Sequence, residues 1–158
     1  MIETNSPAWN FFSQEEQMLY EDGMFLLRDS LVHQSKAPTD YSYIVFPFAK
    51  LYEGFLKDLF LKLGVISDRD YASDHFRIGK VLSPNLVRRL GKRSAYLLLE
   101  ERYGQDLPNL LWRGWKEGRN LVFHYFPHKF HILTRAEAEA SVILLEHAIE
   151  EAVAKTGV

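Results

Sequence analysis

In the stretch GRNLVFHYFPH, Gly118 to His128, an arginine, an asparagine and two histidines interrupt a run of apolar and aromatic residues. These residue types do phosphate and proton chemistry. Arginine grips phosphate through a fork of N–H donors and stabilises negative charge that builds in a transition state. An imidazole takes or gives a proton near neutral pH. Without a carboxylate cluster beside them, Arg119 and His124 suit an anionic substrate. Together such groups could cleave RNA without a metal. A 2′-hydroxyl loses its proton and attacks the adjacent phosphorus, and the 5′-oxygen leaves. The step needs a base, an acid and a cation. One histidine per chain is thin for both proton transfers, whereas a dimer bringing two copies of the motif together would supply two.

Helical spacing constrains how these groups can meet. Positions 119 and 124 fall roughly 140° apart and about 7.5 Å along the axis of an α-helix. Asn120 and His124, four apart, share a face, and Lys116 extends that face backward. Leu111, Trp115, Val122 and Phe126 are left for the core. Arg119 is expected at the shoulder, reaching His124 only around a bound phosphate or through a second chain. Two bland readings stand beside this one. Arg119 could pair with a structural acid, and His124 could be a satisfied core histidine. His124, His128 and His131 also form H-x3-H-x2-H. Pro127 breaks the helical spacing and no carboxylate stands nearby, so this is a poor metal set. Neither a metal nor any other cofactor is expected. Trp112 and Trp115, three apart, read as core, and Tyr125 is the better base-stacking residue.

The elements that must carry these residues are helical. SQEEQMLYEDGMFLLRDSLVHQ opens with Ser13 and Glu16 in capping-box spacing, and Gly23 is its weak point. YSYIVFPFAKLYEGFLKDLFLKLG is apolar on most sides, as a central helix should be, and Pro47 is expected to start or kink it. Two short helices are expected in PNLVRRLG and RSAYLLLEERYG. Pro108 is expected to open the helix that ends before Pro127. TRAEAEASVILLEHAIEEAVAKTG begins with a second capping box, Thr134 with Glu137. Only FHIL, residues 130–133, reads as a short strand. The fold class is therefore all-α: a single domain over 1–158 built as an antiparallel four-helix bundle with one or two short extra helices.

The 158 residues contain no cysteine, so neither disulfides nor thiolate chemistry is available. The N-terminus has no basic and apolar leader, and no apolar run approaches the ~20 residues of a membrane span. A cytoplasmic protein with no membrane contact is expected. The net charge of −2 is unevenly spread. Residues 77–135 hold 12 Lys and Arg against 4 Asp and Glu, and the rest hold 7 against 17. Arg77 to Arg93 contains six basic residues and no acid. That stretch is either a solvated face or a local polyanion surface.

The run R-N-L-V-F-H, Arg119 to His124, resembles the R-x4-6-H motif of the HEPN superfamily, in which the residue after Arg is often Asn. The helix KLYEGFLKDLFLKLG resembles the Glu-Gly-aromatic-x-Lys helix in the catalytic domain of RnlA/LsoA-type toxins, with Glu53 at the matching glutamate. The resemblance covers Tyr41 to about Val153. It implies a four-helix HEPN bundle and a metal-independent endoribonuclease active as a homodimer. It also implies a toxin of a toxin–antitoxin or phage-defence system, with RNA as substrate and a cognate antitoxin as partner. Arg119 would stabilise the phosphate, His124 would transfer protons, and Glu53 and Asn120 would position them. Lys57, Lys116, Tyr125, His128 and Lys129 would contact RNA near the site. Arg88, Arg89, Lys92 and Arg93 would guide it there. Glu53 could instead form only a surface pair with Lys57. The alternative to an enzyme is a catalytically silent HEPN-like module for binding or dimerisation.

Overall fold

The computed structural model describes residues 1–32, 37–124 and 132–158, and among these there is no strand. Ile132 and Leu133 of FHIL are not in a strand, and the rest of that segment lies outside the described residues. Helix α1, Pro7–Phe11, is capped by Ser6, whose side chain accepts from the Trp9 N–H. Helix α2, Gln14–Val32, follows. Its capping box is formed as the sequence implies: Glu16 N–H donates to Ser13 Oγ (3.2 Å) and Ser13 N–H to Glu16 Oε2 (2.9 Å).

Helix α3, Ser42–Lys62, is the centre of the fold. It starts five residues before Pro47 and runs through it, so proline does not set its beginning. Its start is tied down by Asp40, whose Oδ1 accepts from the backbone of Ser42 and of Leu133. Ile44, Tyr52, Phe55, Leu56, Leu59 and Phe60 are fully buried on it. Burial on nearly all sides fits a helix with neighbours all round. Those neighbours are α2, the last helix and the segment that carries Arg119. Gly23 is a contact point rather than a weakness. A Cβ there would lie 2.5 Å from the Phe48 ring, so the glycine lets α2 and α3 close up.

Short helices fill the middle: α4, Asp68–Tyr71; α5, Ile78–Val81; and α6, Val87–Leu90, with 3-10 turns at Pro84–Leu86 and Gly91–Arg93. Helix α7 spans Ala95–Tyr103 and stops at Gly104 (φ +80°). Helix α8, Asp106–Arg113, begins two residues before Pro108. It continues into a π-helical segment, Gly114–Asn120, and then α9, Leu121–Phe123. Helix α10, Arg135–Thr156, has the Thr134–Glu137 capping box and ends at Gly157 in the left-handed conformation. Among the described residues, no helix is long and apolar enough to cross a membrane.

Candidate functional site

The segment carrying Arg119 departs from α-helical geometry. Within Gly114–Asn120 the hydrogen bonds run five residues back, as from Leu121 N–H to Lys116 O. Single π turns inside α-helices are uncommon. Here the surroundings supply local reasons. At the entry, the fully buried Tyr52 hydroxyl donates to Leu111 O (2.9 Å) and so engages the helix's own carbonyl ladder. Burial pushes that phenol's pKa up, which keeps it a donor. Two glycines take the close approaches. A Cβ on Gly114 would lie 2.8 Å from the Tyr52 hydroxyl, and one on Gly118 2.6 Å from Leu145 of α10.

The π segment changes where the functional side chains point. More residues per turn mean less rotation per residue than the 3.6-residue helix assumes. His124 then leaves the helix altogether, with extended backbone at φ −99°, ψ 125°. As a result Arg119 and His124 line one cleft of about 410 Å³ together with Glu53. The two side chains thus share a cleft, although a regular 3.6-residue helix would set them roughly 140° apart. Lys50, Phe46, Ala49 and Phe123 complete the lining.

Three contacts fix the polar groups. Arg119 Nη2 donates to Glu53 Oε2 at 2.6 Å, and each side chain is about one-third exposed (32%). Glu53 is thus held by Arg119 across the helix pair rather than by Lys57 along its own helix. The Arg119 guanidinium carbon sits 4.5 Å from the centroid of the Trp115 ring, a cation–π contact. Trp115 is itself buried (6% exposed), and its indole nitrogen faces Gly79 of α5, where a Cβ would come within 2.5 Å. His124 Nε2 and Asn120 Oδ1 are 2.9 Å apart. The amide oxygen can only accept, so Nε2 carries the hydrogen in that bond. The shared face of Asn120 and His124 becomes a direct bond.

The remaining expected residues separate into groups. Lys57 lines the adjacent hollow with Ser13, Glu16, Gly54 and Asp58 and not the Arg119 cleft, while Lys50 lines both. Lys116 is exposed and does not line the Arg119 cleft. Lys92 and Arg93 line a different cavity, near α4 and α5, while Arg88 and Arg89 are exposed outside it. Tyr125, His128, Lys129 and His131 lie outside the described residues. Trp115 and Trp112 pack with the core as their spacing suggests.

Lys50, Phe46 and Phe123 were not singled out from the sequence. Lys50 was legible, since it precedes Glu53 by three residues on one helix face. Phe46 and Phe123 meet edge-to-face at 5.7 Å, yet they remain 57% and 40% exposed at the cleft mouth. No family model, curated protein or solved structure matches the chain.

Proposed function

We propose that this chain is a metal-independent endoribonuclease of HEPN type, resembling the catalytic domain of RnlA/LsoA-type toxins. The observation that carries the reading is the convergence of Glu53, Arg119 and His124, from two separate helical segments, on one cleft. In this reading Arg119 holds the scissile phosphate through its remaining N–H donors and offsets the charge of the transition state. His124 moves the proton of the attacking 2′-hydroxyl or of the leaving 5′-oxygen. Asn120 orients the imidazole through the 2.9 Å contact, and Glu53 orients the guanidinium. Lys50 adds a second cation at the same cleft.

The packing of α2, α3, the α8–α9 segment and α10 is read as the four-helix HEPN bundle. The active form is proposed to be a homodimer, in which the partner's motif supplies the second proton-transfer group. The exposed Phe46 and Phe123 beside the cleft give such a dimer an apolar contact, or give RNA bases a surface to stack on. A toxin role in the cytoplasm, restrained by a cognate antitoxin, follows from the family reading. The 2.6 Å bond between Arg119 and Glu53 also suits the second reading, a silent HEPN-like module in which that pair is structural.

One experiment separates the two. Purified protein is incubated with RNA in excess EDTA, beside His124→Ala and Arg119→Ala. The ribonuclease reading expects 2′,3′-cyclic phosphate ends from the wild type and none from either variant, with helicity unchanged by circular dichroism. Cleavage that survives His124→Ala overturns the mechanism. Absence of cleavage by the wild type favours the silent module.

A further inference from the structure

The basic stretch is not one surface. Helix α6 ends at Gly91, whose backbone (φ 52°, ψ −128°) lies in a region that L side chains rarely adopt. The chain turns there. After the turn Lys92 and Arg93 stand in a cavity of about 360 Å³ with Arg77, Lys80 and His75. Arg88 and Arg89, before the turn, do not line it.

Four permanent cations therefore share a concave site. Among the described residues its one acidic lining side chain is Asp70, which is also engaged locally. Asp70 Oδ2 accepts from the Ser67 hydroxyl at 2.8 Å and closes the capping box of α4. Arg77 uses one nitrogen, Nη1, on the carbonyls of Asp74 and Phe76. Those two bonds orient its guanidinium, and among the described residues the Nη2 and Nε donors are unspent. Lys80, Lys92 and Arg93 make no ion pair or hydrogen bond among the described residues, and each is exposed. One carboxylate among four cations leaves the cavity net positive, and such a surplus repels itself and costs stability unless a further anion answers it. Ile66, Phe76 and Leu90 give the same cavity an apolar wall.

Shape and charge together select the anion. A groove that tracks nucleic-acid backbone meets one charge per phosphodiester. A pocket of this volume, within the ordinary range for small ligands, suits a chain end. A terminal phosphate monoester carries close to two charges at neutral pH and three acceptor oxygens. The first base could then lie on the apolar wall.

We infer that the Arg77–Lys80–Lys92–Arg93 cavity binds the terminal phosphate monoester of an oligonucleotide. The site deepens the proposed ribonuclease reading by making substrate choice depend on the strand end. Its test does not require cleavage. Binding of full-length wild-type protein is measured by fluorescence anisotropy with 2′-O-methyl oligoribonucleotides, which lack the attacking hydroxyl. Three probes of one sequence are compared, with a 5′-phosphate, a 3′-phosphate, or hydroxyls at both ends.

One phosphorylated probe should bind at least about tenfold more tightly than the hydroxyl-ended one, a difference that charge-assisted bonds readily supply. Whichever end shows the preference identifies the source. Lys92→Ala/Arg93→Ala should erase the preference, while Arg88→Ala/Arg89→Ala should keep it. All four side chains are exposed, so the fold is expected to survive both pairs, as circular dichroism would show. Equal binding of all three probes overturns the assignment, and so does a preference that persists in Lys92→Ala/Arg93→Ala. RNA cleavage, present or absent, leaves this result unaffected.

Discussion

Arg119 Nη2 lies 2.6 Å from Glu53 Oε2, so the cleft's arginine is already engaged by a carboxylate from the central helix. The bond spends one donor and orients the rest. With Trp115 beneath the guanidinium at 4.5 Å, Arg119 is held from the side and from below. In the proposed function such restraint suits a phosphate-gripping arginine, because a flexible one loses rotamer entropy on each encounter. Glu53→Gln keeps the shape and removes the charge. If the chain cleaves RNA as proposed, this variant's kcat should fall by about tenfold or more, the scale of lost positioning. Affinity for an uncleavable RNA should hold or improve, because a competing carboxylate has gone. Loss of affinity without loss of kcat would contradict the positioning role.

Arg119→Lys tests the fork itself. Lysine keeps the charge but cannot make two parallel bonds to one phosphate, and it stacks less well on an indole. Under the proposed ribonuclease function, cleavage should drop by about 100-fold or more. Full activity in Arg119→Lys would show that only charge matters at this position.

Gly79 and Trp115 form the support under that arginine. A methyl group at position 79 would meet the indole nitrogen at 2.5 Å, well inside contact distance. Gly79→Ala should therefore shift the buried indole and cost about 1–3 kcal/mol, the usual scale of overpacking. Thermal unfolding measures the cost, and near-ultraviolet circular dichroism reports the movement of the ring. If the variant matches wild type in both, the indole is not held by α5.

Much of the framework was readable because its causes are local. Ser13 with Glu16 and Thr134 with Glu137 form the boxes their spacing implies, and Gly104 and Gly157 stop helices through backbone angles that suit glycine. Arg119, Asn120 and His124 were legible as chemistry. Their relative placement was not. It depends on a π segment, and that segment is bordered by a tertiary contact, from Tyr52 to Leu111 O. A 3.6-residue period has no way to register a hydroxyl arriving from another helix. The expectation that Lys57 contacts RNA beside Glu53 missed Lys50 for a related reason. Both flank Glu53 at helical spacing, and only the packing of α3 decides which one shares the Arg119 cleft.

Gly114 tests the origin of the π segment. Alanine is intrinsically the better helix former by about 1 kcal/mol. Here, however, its methyl would sit 2.8 Å from the Tyr52 hydroxyl and press on the bond to Leu111 O. Gly114→Ala should destabilise by about 1–3 kcal/mol despite the better propensity. Tyr52→Phe, which removes the hydroxyl and frees the space, should reduce that penalty when combined with it. The double-mutant cycle measures the coupling. Simple additivity of the two changes would mean that the hydroxyl and the glycine are not linked.

Glu16 gives the fold a pH signature. The side chain is buried (5% exposed), and its Oε1 has no hydrogen-bond partner among the described residues and lies where a Cβ on Gly54 would be 2.8 Å away. Burial pushes the carboxyl up to about 7, against the downward pull of the Ser13 N–H, with Asp58 adding to the rise. The folded state then binds a proton more tightly than the unfolded chain, whose carboxyl titrates near 4.5. Between those values the folded protein retains a proton that the unfolded chain has lost. Stability contributed by this group is fully present below about 4.5 and declines as pH rises to about 7. Glu16→Gln keeps the capping-box geometry without the titration. Its stability relative to wild type should improve by about 1–3 kcal/mol between pH 4.5 and pH 8. Urea unfolding at several pH values measures this directly. A difference between the two proteins that stays constant with pH would show that Glu16 keeps its proton equilibrium on folding.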